Sequence, residues 1–335
     1  MVADLAELQA RLRPKRVLVT GALGFIGANL TRALVDAGCA RVIAVDSLEP
    51  TCGGTASNLD GVDGVELHLA DIGDTARMRA LVEEVDLVFN LAAHLGHVAS
   101  MRAPRRDLAI NCDAQLGFLE ACRGRGAALR IVLTSTRQVY GAPRRLPVDE
   151  EHPLDPPDVN GVHKIAVEHY HRLYARTTGL EVVCLRLTNV YGPRQRLIGA
   201  AGVVPTFLTR ALRGEPIALF GGGAQRRDLL YVDDAVEALL RAATVESAAG
   251  ETLNVGCPEG VPLRELAERL IALVGRGSVR EMPMPEEQAA VEIGDYATDA
   301  RRCERVLGWR ARTSLDEGLA RTIAFYRAHA AVFLP

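Results

Sequence analysis

The run Gly21-Ala22-Leu23-Gly24-Phe25-Ile26-Gly27 constrains this chain more than any other segment, because of what flanks it. Before it lies Arg16-Val17-Leu18-Val19-Thr20, a short apolar stretch of the kind that forms a strand buried on both faces. After it, Asn29 to Ala37 carries helical periodicity and Gly38 stops it. A strand, a glycine turn and a helix in that order leave free N–H groups and the positive end of the helix dipole open to a phosphate. Glycine spacing alone is weak evidence, and its place between strand and helix gives it meaning. Gly21, Gly24 and Gly27, with Phe25 and Ile26 between the last two, are therefore predicted to line a dinucleotide site.

A second apolar run, Arg41 to Asp46, ends in a carboxylate about 20 residues beyond the glycines. A carboxylate at that place bonds the adenosine ribose 2′-hydroxyl and repels a 2′-phosphate, so Asp46 favours NAD over NADP. The alternation continues with predicted strands at 65–69, 87–91, 129–134 and 182–187. Predicted helices lie at 75–84, 107–123 and 162–177. Strands alternating with helices give βαβ units and a doubly wound parallel α/β sheet of the Rossmann type.

After Leu187 the rhythm weakens, and proline and glycine become frequent through Gly192-Pro193, Gly202 to Pro205 and Gly221-Gly222-Gly223. There the chain is expected to leave the sheet and build a smaller lobe, while 229–232 and 252–255 return to the main domain. The expected division is a NAD-binding domain over 1–192 plus 228–257 and an interleaved substrate lobe over 193–227 plus 258–335. The cleft between them is the natural substrate site.

Composition excludes several classes. With 335 residues, 48% of them hydrophobic, the chain can bury a large core, and its net charge of −3 argues against a nucleic-acid binder. The apolar stretches are strand-sized, well short of a membrane span. Met1 to Pro14 places Leu5, Leu8 and Leu12 at helical spacing among charges, which predicts a short surface helix and not a signal peptide. The seven cysteines show neither CxxC nor zinc-finger spacing, so reduced thiols in a cytoplasmic protein are expected, with no metal site. Of the 39 basic residues only Lys15 and Lys164 are lysines. A lysine where arginine is the rule points to a need for a compact ammonium.

These features, together with Asp71-Ile72, Leu91-Ala92-Ala93, Ser135-Thr136 ahead of Val139-Tyr140-Gly141, Leu187 to Arg194, and Arg227 to Asp234, resemble the extended short-chain dehydrogenase/reductase family. Within it they are similar to the nucleotide-sugar epimerases and dehydratases of the UDP-glucose 4-epimerase type. Leu307-Gly308-Trp309 and Glu317-Gly318-Leu319 extend the match nearly to the end. The resemblance implies that Asp71 and Ile72 contact adenine, that Ala92 and Ala93 pass close to the cofactor ribose, and that Leu91 also belongs to the cofactor site. It implies that Thr136 bonds the reacting sugar hydroxyl and that Lys164 holds the nicotinamide ribose. Asn189, Arg194 and Arg227 would then bind a nucleotide-diphosphate sugar, Arg227 by pairing with phosphate or, on the plainer reading, by a surface salt bridge. It also implies a homodimer built on the helices near 107–123 and 162–177.

The pattern breaks at one decisive place. The family signature Tyr-x-x-x-Lys reads here Asn160-Gly161-Val162-His163-Lys164. Asparagine cannot take the proton that the tyrosinate would take. Three readings stay open: His94 or His163 serves as base, Thr136 relays a proton, or the chain keeps NAD and has lost redox catalysis. If the site is otherwise intact, Asn160→Tyr is expected to raise ordinary epimerase activity. The two residues after Thr136 are Arg137 and Gln138, where the family's 4,6-dehydratases place Asp and Glu. Neither can do that acid–base work at neutral pH. Arg137 is either structural or a partner for an anionic substrate group such as a uronate. The sequence thus points first to a NAD-dependent epimerase acting by transient oxidation of a sugar hydroxyl. A dehydratase or dehydrogenase of the same fold comes second, and a NAD-bound binding or regulatory protein third.

Overall fold

In the computed structural model, residues 2–50, 52–94, 96–197 and 202–333 are described, with side chains from Ala6 onward. The strands are β1 (Arg16–Thr20), β2 (Arg41–Asp46), β3 (Val65–Leu69), β4 (Leu87–Asn90), β5 (Arg130–Thr136) and β6 (Glu181–Leu187). They continue as β7 (Asn189–Tyr191), β8 (Pro216–Phe220), β9 (Arg226–Tyr231), β10 (Thr252–Val255), β11 (Gly260–Pro262) and β12 (Ser278–Met282). Seven of them form one sheet in the order β10-β6-β5-β4-β1-β2-β3, with every neighbouring pair parallel.

Burial on both faces explains why these segments read so clearly. Val17 and Val19 of β1 pack into one apolar cluster with Leu30 and Leu34, while Leu18 between them packs into another with Ile43, Val45 and Phe118. The period-two alternation of side chains thus feeds two cores, one on each face of the sheet. The helices covering it are α1 (Val2–Leu12), α2 (Phe25–Asp36), α3 (Thr75–Val82), α4 (His97–Arg102), α5 (Pro104–Leu108), α6 (Ala114–Cys122) and α7 (Val159–Thr178). Further on come α8 (Val203–Arg213), α9 (Val232–Thr244) and α10 (Leu263–Val274). The N-terminal helix lies on the protein but is not all surface: Leu8 and Leu12 are buried, and Arg11 donates to the Thr244 carbonyl at the end of α9. Leu5 falls outside the described side chains.

One predicted helix is interrupted. The segment read as 107–123 is α5, then a wide π turn over Ala109–Asp113, then α6. His94 holds that turn from outside: its N–H donates to Asn111 Oδ1 at 2.9 Å and its carbonyl accepts from Asn111 Nδ2 at 3.1 Å. The extra residue in the turn is therefore matched to a loop that no local periodicity reports.

Of the two segments read as returning strands, β10 joins the large sheet beside β6. The other, β9, pairs instead with β7 and β11 in a small three-stranded sheet, and β8 pairs with β12 in a separate parallel ribbon. Ala218 to Phe220 of β8 and Arg227 of β9 line the same cavity as Thr136 and Leu187, the last residues of β5 and β6. Trp309 pins the C-terminal segment by donating its indole N–H to the Asp234 carbonyl at 2.9 Å. Among the described residues no helix is long and apolar enough to cross a membrane, and Cys39, Cys112, Cys122, Cys184, Cys257 and Cys303 are free thiols.

Candidate active site

The strand order reverses direction at β1, with β2 and β4 on its two sides, and ligands of such sheets bind outside the carboxyl ends of the strands at that switch point. A cavity of about 1150 Å³ lies there. That exceeds the roughly 300–1,000 Å³ of most single small-molecule sites. Every residue predicted for the cofactor lines it, from Gly21 to Ala93 and Lys164. So do Thr136, Arg137, Asn160, Asn189 and Arg227, whereas His94, His163 and Arg194 do not.

At the glycine turn the backbone comes too close for side chains. Gly21 has φ +68°, and a Cβ there would sit 2.9 Å from the Ala92 nitrogen. A Cβ on Gly27 would drive into the Gly21 carbonyl. The helix α2 starts behind an extended Gly24 with no side-chain cap, so its first N–H groups keep their capacity for an anion. The Asp46 carboxylate closes one side, accepting from the Leu23 N–H at 2.9 Å and the Leu48 N–H at 2.8 Å. Asp71 accepts from the Gly73 N–H at 2.7 Å, and Thr20 Oγ1 receives the N–H groups of Leu91 and Ala92 at 3.2 Å each. A cradle that excludes any Cβ, an uncapped helix start and a carboxylate at the end of β2 fit NAD. The Ser135 hydroxyl, buried in the same wall without a partner among the described residues, leaves room for a further polar contact.

Another wall of the cavity is built from the carboxyl end of β5 and the first turns of α7. Thr136 ends β5, and its Oγ1 accepts from the Gln138 N–H at 3.2 Å. Lys164 is buried and donates to the Thr134 carbonyl at 3.2 Å, and burial draws its ammonium below the usual lysine range. Asn160 is also buried, with its backbone N–H on Ser100 Oγ at 3.2 Å. Its amide donates to the His94 carbonyl at 3.0 Å and to Asp107 Oδ2 at 3.3 Å.

The two histidines weighed as bases are turned away from the cavity into one buried cluster. His94 Nδ1 lies 3.0 Å from Asp107 Oδ2, and His163 Nδ1 lies 2.6 Å from Asp107 Oδ1. Burial works against the charge on Asp107, but bonds from His94, Asn111, His163 and Asn160 outweigh it and hold the carboxyl below the usual range. The histidine that does line the cavity is His97, which opens α4 directly after Gly96. Its Nδ1 lies 2.8 Å from Asp158 Oδ2. Sequence reasoning passed over it, since His94 and His97 sit in one short run and only the Gly96 turn, at φ +118°, separates their directions.

The part of the cavity around Arg137 and Arg227 gathers cations. Arg137 is buried, stacks 5.1 Å from the Tyr296 ring centre, and gives one guanidinium nitrogen to Asn189 Oδ1 at 3.1 Å. Its Nη1 is buried without a partner among the described residues. Burial, and then the neighbouring charge of Arg227, pull its pKa down to about 10. Arg227 donates to the Gly294 carbonyl at 2.6 Å and pairs with Glu292. Arg194 instead bonds Asn29 Oδ1 at 3.0 Å and stacks on Phe325. Gln138 is committed to Asp158 Oδ2 at 2.9 Å and to the Val291 carbonyl. Arg196, Arg210 and Glu292 also line the cavity, and no motif singled them out.

The profile of the NAD-dependent epimerase/dehydratase family matches residues 17–256. The chain is 34% identical to the UDP-glucose 4-epimerase of Mycolicibacterium smegmatis over 93% of its own length and 98% of that protein. Its fold is similar to the Thermotoga maritima UDP-glucose 4-epimerase solved with UDP-glucose, at a TM-score of 0.85, 33% identity, and coverage of 94% and 99% of the two chains. It is equally similar to a dTDP-glucose 4,6-dehydratase of Streptomyces venezuelae solved with NAD, at a TM-score of 0.87, 30% identity, and coverage of 96% and 99%.

Proposed function

This chain belongs to the NAD-dependent epimerase/dehydratase family acting on nucleotide sugars, and we propose that within it the chain is an epimerase that oxidises a sugar hydroxyl and then restores it on the other face. The observation that carries this choice is the pair after Thr136. Gln138 is an amide bonded to Asp158, and Arg137 is a buried guanidinium, where a dehydratase of the family would place carboxylic groups. With no acid there to protonate a leaving hydroxyl, elimination of water lacks its proton donor.

Bound NAD supplies the hydride acceptor and later the donor. The chain's own residues do the rest. Gly21 and Gly27 admit the pyrophosphate, Asp46 takes the adenosine ribose, and Asp71, Ile72 and Leu91 to Ala93 wall the adenosine side. Lys164 holds the nicotinamide ribose and adds positive charge where a sugar alkoxide develops. Thr136 orients the reacting hydroxyl. Asn189, Arg137 and Arg227 face the diphosphate and any acidic sugar group. The division into a domain over 1–192 plus 228–257 and a lobe over 193–227 plus 258–335 belongs to the same proposal, with the cavity between them. So does a homodimer, supported by the exposed apolar side chains of Leu108 on α5 and of Val162 and Leu173 on α7.

The test is product mass after incubation with NAD and a panel of UDP-, dTDP-, GDP- and CDP-sugars. An isomer of unchanged mass supports the epimerase. Loss of water or of carbon dioxide contradicts it in favour of a lyase, and net reduction of NAD in favour of a dehydrogenase. A second reading, a NAD-bound binding protein, is favoured by one observation: the Asn160 amide is spent on buried acceptors. Tight NAD binding with no turnover of any sugar supports that reading.

A further inference from the structure

The proposed oxidation leaves a proton to be placed. When a sugar hydroxyl becomes a carbonyl its O–H bond breaks, and a group with a basic lone pair must receive the proton. The Asn160 carboxamide has none near neutral pH. His94 and His163 spend their Nδ1 atoms on Asp107 and do not line the cavity. Among the described residues lining it, His97 is the one imidazole.

Its surroundings are those of an oriented base. The side chain is 41% exposed, and the Asp158 side chain beside it is fully buried. Nδ1 stands 2.8 Å from Asp158 Oδ2 without the alignment of a full hydrogen bond, a looseness common in catalytic contacts before substrate arrives. Asp158 is fixed as the N-cap of α7, accepting from the Gly161 N–H at 2.8 Å and from Gln138 Nε2 at 2.9 Å. Gln138 in turn donates its N–H to Thr136 Oγ1. One hydroxyl ties His97 to the place where the family's tyrosine would stand: Ser100 Oγ donates to the His97 carbonyl at 2.7 Å and accepts the Asn160 N–H. Burial opposes the Asp158 charge, yet pairing with His97 and the two further bonds keep its carboxyl below the usual range. The cavity that His97 lines also holds the cations Arg137, Lys164, Arg196, Arg210 and Arg227 and the carboxylates Asp46, Glu49, Asp71 and Glu292.

We infer that His97 is the catalytic base in place of the tyrosine, with Asp158 as its positioning residue; this rests on the epimerase reading. The sugar O–H bond breaks and an N–H bond forms on Nε2. The C–H electron pair leaves as hydride to NAD, which is reduced, and the O–H pair becomes the second bond of the carbonyl. On return the same proton goes back to the oxygen. Asp158 accepts the Nδ1–H throughout and stabilises the imidazolium, the arrangement of an oriented histidine in acyl-transfer enzymes.

The full chain with NAD bound carries the test, using His97→Gln and Asp158→Asn. H97Q is expected to keep NAD and sugar-nucleotide affinity within threefold by calorimetry, while turnover falls about 100-fold or more. It is also expected to lose the acidic limb of the kcat–pH profile. D158N keeps a capping side chain and loses less turnover, and its limb moves to lower pH because the imidazolium has lost its counter-ion. Nitrogen NMR of the histidine rings gives a readout independent of turnover: the proton of neutral His97 is expected on Nδ1. H97Q turnover and pH profile within twofold of the parent, or a ring proton on Nε2, overturns the assignment of His97. An inactive parent enzyme overturns the epimerase reading itself, so the two failures are distinguishable.

Discussion

Asn160 gives its side-chain amide to the buried carboxylate of Asp107 at 3.3 Å. A second bond from the same amide reaches the His94 carbonyl. Both donors of the residue are therefore used inside a polar cluster that also holds His163 and Asn111. The asparagine is a member of a satisfied network, and buried networks lose most when one partner goes.

From the sequence alone, Asn160→Tyr looks like a route to higher activity. The packing predicts otherwise. A phenol has one donor and a larger ring, so Asp107 or the His94 carbonyl loses its partner while the surroundings are overpacked. Urea unfolding is expected to show a loss of about 1–3 kcal/mol, with no rise in turnover. A gain in turnover at unchanged stability would mean that the cluster around Asp107 is more yielding than its bonds indicate.

The glycine turn makes a sharper prediction. A Cβ at position 27 meets the Gly21 carbonyl, which is backbone and cannot step aside. Gly27→Ala is expected to weaken NAD binding at least tenfold by calorimetry and to cost about 1–3 kcal/mol of stability through overpacking. Gly61→Ala, at a glycine with open space around it though a positive φ, is the control and should leave NAD binding unchanged.

In the proposed site Asp46 is the residue that chooses the dinucleotide. Its two oxygens receive backbone N–H groups of the turn, and its charge repels a 2′-phosphate. Asp46→Asn removes the charge while keeping one acceptor. The ratio of NAD to NADP affinity, measured by titration, is expected to fall by about tenfold or more, the scale of one hydrogen bond to a charged group.

Asp228 predicts a pH dependence with a definite sign. Burial lifts its pKa to about 6, against bonds from the Thr298 backbone N–H at 3.1 Å and the Thr298 hydroxyl. Between pH 3.8 and about 6 the folded protein holds a proton there that the unfolded chain has released. The contribution of this group is thus fully present below the unfolded value and is lost as pH rises through the folded one. Asp228→Asn removes the loss. Relative to the parent, the variant is expected to gain roughly 2–3 kcal/mol between pH 4 and pH 7 and to level off above. A stability difference that stays flat across this range would contradict the shift.

How much was legible in the sequence follows from how local each feature is. The βα alternation was readable because Val17, Leu18 and Val19 are all buried, in two different cores, which demands a continuous apolar run. The dinucleotide turn was readable because its glycines are spaced by one local bend. The break at 109–113 was not, since Asn111 stabilises it through His94, remote along the chain. The direction of His97 rests on Gly96 and on Asp158, a partner more than one element away. Arg227 was left with two readings because its partner Glu292 lies in a late loop, and Arg194 left the cavity because Asn29 and Phe325 claim it.

The most direct test of the account is turnover of an accepted sugar nucleotide in heavy water, followed by mass and proton NMR of the product. A hydride that leaves and returns within one site predicts an isomer of unchanged mass, no solvent deuterium at any carbon, and no net change in NAD. Deuterium beside the oxidised carbon, or a product lighter by one water, would contradict a shuttled hydride and place the chemistry at the neighbouring C–H bond.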